Sequence, residues 1–487
     1  MSKQGPIPFT PTQESGWDIV GGASPAAVNV VVDGRGAVRR RPGVKKYSGA
    51  QSSALEAGDI LGLYSTSTGD RVYAVAGLAP GAVRLYRVTP DESSLVYSTT
   101  ATTRPIWAET EAMVLWADSR SINRVLLEDS SIERLPNSPV ASHVVALGAR
   151  LLATDGDQPS QVAYSGNNLG TETTGGHEQW GVQTTLAFGE SGFFTAEARP
   201  DPVVAIAENS NEVFVLGATT FQTFAADSTL NFAPVSTREH GCAASHSVVR
   251  DDQSFAWLDH RRRIVHTDGR SIQVLSSPIQ ETLDRMARVD DCHGYRITHG
   301  PVDALLWNFP TDGRTFCWQK GGGWSIWMGW NESTNNFKNC PITAKADIVG
   351  ENANLVGLTT GGSSRIGVID QGTTTDFGER IPAHIETGFI DRGTPNRKMC
   401  IAVNIRMRRG HVTGTSEPIA HLSWRDDEGQ WQSPIPISLG KSASREPVVT
   451  LRGLGVYRAR AWRFTFSSTT EDLVLASVTE EFEILTQ

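Results

Sequence analysis

Cysteine is scarce in this chain, positive charge is in deficit, and no apolar stretch approaches the roughly 20 residues of a membrane span. The five cysteines, Cys242, Cys292, Cys317, Cys340 and Cys400, are odd in number and widely spaced in 487 residues. That pattern argues against a disulfide framework and predicts reduced thiols packed inside. His240-x-Cys242 and Cys292-His293 are the nearest approach to metal-ligand pairs; with no C-x-x-C and no second pair at ligand spacing, no metal is expected. Lys and Arg total 44 against 53 Asp and Glu, a net charge of −9, so nothing draws the chain generally to nucleic acid or to an anionic membrane. A specific DNA-binding factor is more basic than this. Met1 to Thr10 has one lysine and no apolar run, unlike a secretory signal. The expectation is a soluble protein assembled in a cytoplasm, with no membrane anchor. G-x-S-x-G, H-E-x-x-H and the P-loop are also missing, and no cofactor is expected.

What the chain has in quantity is turns and short strands. Gly (47) and Pro (24) recur every few residues, and between them lie apolar-alternating runs rich in Val, Ile, Thr, Tyr and Trp, the pattern of strands and hairpins. Val72 to Val75, Val83 to Val88, Val213 to Leu216 and Ala304 to Phe309 are clear examples. Some runs are too continuously apolar to have one wet face, which suits strands sandwiched between neighbouring sheets. The length exceeds what one core usually organises, so several domains or a repeat architecture are expected.

From about Ile60 to Asp376 the runs group into units of roughly 25 to 40 residues, a period typical of propellers and solenoids. Units begin near Ile60, Pro105, Ala141, Asp201, Gly241, Cys292 and Cys340. Within one, Phe255-Ala-Trp-Leu runs through Asp259-His-Arg-Arg-Arg into Ile264-Val-His, then through Thr267-Asp-Gly-Arg into Ile272-Gln-Val-Leu; such meanders are what propeller blades look like. The reading is all-β: a β-propeller of six or seven blades, seven favoured, followed by a C-terminal β-sandwich. One short helix is predicted at Pro278 to Met286, with Ser277 as N-cap and Ile279, Leu283 and Met286 on one face. The expected division is an N-terminal arm and first strand (1–50), propeller repeats (51–376) and a sandwich (380–487). Its strands are read at His384 to Phe389, Cys400 to Arg408, Ile419 to Arg425, Glu446 to Leu451, Ala461 to Ser467 and Leu473 to Leu485. From Glu480 the last strand alternates Glu with Phe and Ile, as an edge strand does.

Three stretches resemble the tail-hub, or packaged-DNA stabilisation (head-completion), proteins of short-tailed double-stranded-DNA bacteriophages. They are Asn29-Val-Val-Val-Asp-Gly-Arg-Gly-Ala-Val-Arg-Arg-Arg-Pro-Gly-Val, then Gly241-Cys-Ala-Ala-Ser-His-Ser-Val through Trp257-Leu, Asp268-Gly and Ile279 to Phe309-Pro-Thr, and last Trp424-Arg-Asp-Asp-Glu-Gly-Gln-Trp with Leu451-Arg-Gly-Leu-Gly, Tyr457-Arg-Ala-Arg and Trp462-Arg-Phe. The third departs by one residue from the usual Asp-Asp-Gly-Gly-x-Trp form. The resemblance implies a non-catalytic virion protein that forms a ring with itself, six copies in that family, beneath the portal and adaptor. The ring extends the DNA exit channel, helps retain packaged DNA, lets double-stranded DNA pass without sequence preference, and docks the needle or plug and the tailspikes or fibres.

Two basic clusters are candidate contact sites. Arg39, Arg40, Arg41, Lys45 and Lys46 bracket Pro42-Gly43 and could meet a neighbouring subunit or DNA phosphates, or simply form a solvated turn. Arg261, Arg262 and Arg263 sit at an expected hairpin tip, either a docking patch for an acidic partner or a charged turn blunting an edge. Trp318, Trp324 and Trp330 share parity while Trp327 points the other way, which favours blade packing over a sugar platform. Glycan-cleaving propellers are the rival class, but the nearest Asp-box-like turn, Asp427-x-Gly429-x-Trp431, lies in the terminal sandwich, and no local spacing picks out a carboxylate pair. A host-glycan-binding adhesin shares the fold and stays open as an alternative.

Overall fold

Successive side chains on a strand point to opposite faces of its sheet, and here both faces of most sheets are dry. The computed structural model describes residues 2–9, 27–47, 55, 58–78, 82–100, 103–167, 175–181, 191–196, 201–209, 212–226, 232–349, 353–360, 363–409, 418–427, 429–439, 446–469 and 472–485. Six blades are built from four consecutive antiparallel strands each. Blade one is Asp59–Ser65, Val72–Leu78, Ala82–Val88 and Ser93–Thr99; blade two is Ile106–Glu109, Met113–Ala117, Ile122–Leu126 and Ile132–Arg134. Blade three is Val144–Leu147, Arg150–Thr154, Gln161–Tyr164 and Gly192–Thr195; blade four is Val203–Asn209, Glu212–Gly217, Phe221–Ala226 and Phe232–Arg238. Blade five is Val249–Asp251, Ser254–Leu258, Ile264–Thr267 and Ile272–Val274; blade six is His293–His299, Val302–Phe309, Arg314–Gln319 and Gly323–Trp327. A seventh sheet has three strands of its own, Ile342–Ile348, Ala353–Thr360 and Ser363–Asp370, and takes a fourth, Gly43–Lys46, from the N-terminal region.

Alternation turns these sheets into a ring. In blade four Val213 and Val215 pack toward blade three, while Phe214 and Leu216 pack toward blade five. Phe255 and Trp257 of blade five face back to blade four; Ala256 and Leu258 face Leu305, Trp307 and Phe309 of blade six. Leu306, Cys317 and Trp327 meet Ile342, Val356 and Leu358 of blade seven. Leu355 and Ile366 of blade seven then pack on Ile60, Leu63, Val72 and Ala74 of blade one, which closes the circle. Tyr73 and Val75 continue it to Val114 and Trp116 of blade two, and Met113 and Leu115 to Val144 and Leu151 of blade three. The tryptophan parity holds: Trp324 lies on the blade-five side and Trp327 on the blade-seven side. All five cysteines are buried.

The predicted helix is Gln280–Asp284 preceded by a 3₁₀ turn, Ser277–Ile279, and its three apolar residues are buried as expected. No side-chain cap forms at Ser277; instead Ser276 Oγ bonds the Gln280 side chain at 2.9 Å.

The last part of the chain forms a sandwich with two sheets. One holds Lys398–Arg409, Val448–Arg452 and Leu473–Ile484; the other holds Ala383–Glu386, Arg460–Phe466, Ile419–Asp426 and Ile435–Ser438. Between them lie Val403, Ile405, Met407, Leu422, Trp462, Phe464 and Phe466, with Ile7 and Phe9 from the N-terminal region. The expected edge strand is a central one. Leu473–Ile484 is flanked by Lys398–Arg409 on one side and by Val38–Arg40 and Lys3–Pro6 on the other. Glu480 is accordingly buried, accepting from Tyr457 Oη at 2.7 Å and pairing with Arg392 at 2.8 Å. The alternation of Glu with Phe reads as an edge only if the partners of the glutamates, supplied from elsewhere in the chain, are not known.

Propeller and sandwich are sewn together by residues 27–47. Val28 bridges blade six at Ile326 and the sandwich at His384, which makes one sheet run through both. Asn29, at φ 56°, then swings the chain so that Val30–Val32 and Val38–Arg40 join the opposite sandwich sheet. Left-handed backbone is tolerated by asparagine more readily than by most residues. At the crossing, Arg41 is fully buried and donates to both carboxylate oxygens of Asp376 (3.1 and 2.5 Å), to Asn29 Oδ1 (3.0 Å), and to the carbonyls of Pro42 and Met328. Burial alone lowers a guanidinium's proton affinity, but here Asp376 outweighs it and the Arg41 pKa ends raised. Gly43 is required beyond it: a Cβ there meets the Thr375 and Thr373 carbonyls at 2.5 and 2.6 Å.

Removing one partner of a buried pair strands the other charge, at a cost of about 3–5 kcal/mol. Asp376→Ala is therefore expected to lower the denaturant midpoint strongly, whereas Lys45→Ala, on an exposed side chain, stays within about 0.5 kcal/mol of wild type. Equilibrium unfolding in urea followed by tryptophan fluorescence checks both.

Candidate functional site

The structure separates the five N-terminal cations. Arg39 pairs with Asp472, and Arg40 is buried with Nη1 on the Ser468 carbonyl at 2.8 Å, its pKa pulled down to about 10 chiefly by burial. Arg41 is the junction residue already described. Arg40 and Arg41 thus hold the chain together internally and do not belong to one exposed cluster; Lys45 and Lys46, on the fourth strand of blade seven, face solvent. At the blade-five hairpin, Asp259 is fully buried and accepts from the Arg263 guanidinium at 2.6 and 2.9 Å. Arg262, at φ 59°, donates to the Asp284 and Met286 carbonyls at the end of the short helix. Of the three, Arg261 is the exposed one.

A groove of about 700 Å³ runs along blades four and five, lined by Asp251, Ser254, His266, Asp268 and Arg238 among others. It holds a serine, a histidine and an aspartate within reach of one another, so its chemistry can be tested on geometry. Ser254 Oγ lies 2.9 Å and Asp251 Oδ2 3.3 Å from the same ring nitrogen, His266 Nε2. A nucleophile relay needs the carboxylate on the other nitrogen, to orient the ring and stabilise its charge while the first takes the proton. Ser254 Oγ is moreover within 2.6 Å of the Asp251 carbonyl. The group staples a hairpin rather than activating an oxygen. The Asp427 turn is likewise structural: its carboxylate accepts from the backbone N–H of Arg458 and Ala459 at 3.0 and 2.8 Å. Among the described residues, no group of three metal-ligating side chains gathers.

Two features escaped the sequence reading. One is the set of outer strands. Blades six and seven have theirs covered, by Ala27–Val28 and Thr375–Asp376, whereas the sheets of blades one to five end at their fourth strands. On blade one that strand, Ser93–Thr99, carries no charged residue, with Leu95 51% and Val96 37% exposed; on blade four Val235 is 58% exposed. The other is the propeller axis. Arg104, entering blade two, donates to the Leu61 carbonyl of blade one at 2.9 Å and to the Thr343 carbonyl of blade seven at 2.7 Å, clasping the closing seam. His143 and His246 stack with ring centroids 5.9 Å apart, and His293 lies within electrostatic range of His246 and Arg104. Each histidine stands near the start of a unit, a recurrence visible in the sequence but meaningless until first strands are known to face the axis. Burial holds the imidazoles neutral: His143 falls to about 4 and His246 to about 3, the latter also pushed by His143 and Arg104.

The fold and its sites define a closed propeller joined to a sandwich, with ion pairs that fasten the chain and no arranged catalytic group among the described residues. Residues 184–277 match the family model described as Bacteriophage P22 Gp10, beta-propeller. That match supports the tail-hub resemblance read from the sequence, and with it a phage structural tail protein built on a β-propeller. No curated protein matches the chain. Solved structures similar to it include the N-terminal domain of Nup159, at 12% identity and TM-score 0.41, covering 72% of this chain and 100% of that one. PorZ of the Porphyromonas gingivalis type-IX secretion system has 10% identity and TM-score 0.38, covering 81% of this chain and 46% of that one. Kluyveromyces lactis Hsv2 has 9% identity and TM-score 0.31, covering 55% and 97%. None is alike enough to bear on function.

A histidine kept neutral when folded has a lower pKa than its unfolded value of 6.5, so the unfolded chain gains protons first as the solution is acidified. Stability from His143 is complete above pH 6.5 and drains away as pH falls toward about 4. Replacing His143 with Gln is expected to flatten the loss of urea midpoint over that window relative to wild type, by up to about 1.4 kcal/mol per pH unit.

Proposed function

We propose that this chain is a non-enzymatic subunit of a phage tail hub or nozzle. Copies join in a ring, six by family resemblance, that extends the DNA exit channel below the portal and adaptor, helps retain packaged DNA, and docks the needle or plug and the tailspikes or fibres. The observation that carries the reading is the match of residues 184–277 to the phage propeller family. Geometry refines it in one respect. Several first strands of neighbouring blades contact each other, and Arg104 bridges the seam of blades one and seven near the histidines, which supports an axis given to blade packing rather than to DNA passage. In this reading the channel lies between copies. The net charge of −9 agrees with a conduit that does not grip phosphates.

The uncharged outer strand of blade one, with Leu95 and Val96 exposed, supports a contact with the neighbouring copy, since an open strand edge is a template for pairing. Lys45, Lys46 and Arg261 are the exposed members of the two basic clusters and would carry any contact to an acidic partner or to DNA. The protein is assigned to the virion tail, after assembly in the host cytoplasm.

Mass photometry and cryo-EM of the chain mixed with its portal and adaptor are expected to show a ring of copies beneath the adaptor; a chain that stays monomeric in that mixture overturns the reading. Leu95→Asp is expected to weaken assembly at least tenfold while leaving the monomer within about 0.5 kcal/mol of wild type. Unchanged assembly of that variant moves the contact to another edge.

A further inference from the structure

We propose that the propeller axis binds a tetrahedral oxyanion of the phosphate or sulfate class, held on the Arg104 guanidinium with His246 and His293 beside it. Nη1 of Arg104 is committed to the Leu61 and Thr343 carbonyls, which fixes the plane of the group across the seam of blades one and seven. Nε and Nη2, the two donors on its other edge, have no partner among the described residues, and Arg104 keeps some solvent contact. Two parallel N–H groups on one edge match two oxygens of an oxyanion, a geometry an ammonium cannot offer.

The surroundings leave this cation without a counter-charge. Several buried or half-buried arginines have a carboxylate: Arg41 has Asp376, Arg460 has Asp426, Arg263 has Asp259, Arg392 has Glu480, whereas Arg40, like Arg104, is held on a carbonyl. Arg104 has none within bonding distance; Asp59, the carboxylate that acts on it, is exposed. Tyr295 and Cys292, which also face it, are kept neutral by burial. A desolvated charge without a partner is costly, and a bound anion removes that cost.

Donors for the remaining oxygens are present. His293 is 4% exposed and neither ring nitrogen makes a hydrogen bond of good geometry, with the Asp291 and Thr343 carbonyls the nearest acceptors that act on the ring. His246 is partly accessible, stacked on His143. His143 is spent, with Nε2 on the Ser245 carbonyl and Nδ1 on Ser142 Oγ, both at 3.1 Å, and serves as backing for His246. The site is independent of the ring assembly proposed above, because every group in it comes from one propeller.

The test is a titration of the full chain with inorganic phosphate, and separately with sulfate, against sodium chloride at matched ionic strength. It is read by thermal melting and by phosphorus NMR line broadening. Wild type is expected to show a saturable rise in Tm with both oxyanions and saturable broadening with phosphate. Arg104→Lys, which keeps the charge but loses the fork, is expected to bind at least tenfold more weakly, and His293→Phe at least threefold. Should the Arg104 variant not fold, the wild-type broadening and the His293 variant still decide. No saturable broadening in wild type, a Tm rise equal to that in chloride, or equal binding by wild type and a folded variant overturns the proposal.

Discussion

The guanidinium of Arg41 and the carboxylate of Asp376 meet where blade six, blade seven and the sandwich converge. A ring of stacked blades has one seam that chain connectivity does not close by itself, because each unit packs only on its neighbours. Here the seam is shut by a strand from the N-terminal region, Gly43–Lys46, laid on Ser363–Asp370. Bringing together segments so far apart in sequence costs loop entropy, and the residues that offset it are concentrated at the crossing. Asn29 turns the backbone, Arg41 takes up every nearby acceptor, and Gly43 lets the strand pass beneath Thr373 and Thr375. Because the same stretch also contributes Val28 and Val30–Val32 to the two sandwich sheets, ring closure and the docking of sandwich on propeller are one event.

Inside the ring the division of labour is by radius. Second and third strands are buried on both faces and carry the aromatic packing, including Trp257 and Trp307, both fully buried. First strands lie toward the axis, where Arg104 and the neutral imidazoles sit. Fourth strands reach the rim, where Leu95 and Val235 stand exposed.

Much of this was legible in residue order. Unit starts read at Ile60, Pro105, Ala141, Cys292 and Cys340 fall within a few residues of the observed first strands, because alternation and turn chemistry are local properties. The opposite facing of Trp324 and Trp327 was readable for the same reason. Arg40 and Arg41 were not: a basic run beside Pro-Gly looks solvent-exposed until Asp376 and Ser468 are known to lie against it. Glu480 misled in the same way, its alternation signalling an edge while Tyr457 and Arg392 wait to bury it.

By itself the sequence determined an all-β chain of repeated meanders and a terminal sandwich, with thiols inside, since strand, turn and facing follow from neighbours a few residues apart. Tertiary structure alone decided that the N-terminal strand closes blade seven, that Arg41 is a buried fastener rather than a contact, and that Arg104 and three distant histidines share the axis. These depend on which residues meet across hundreds of positions, and a charge has no assigned role until its partner, or the lack of one, is in place.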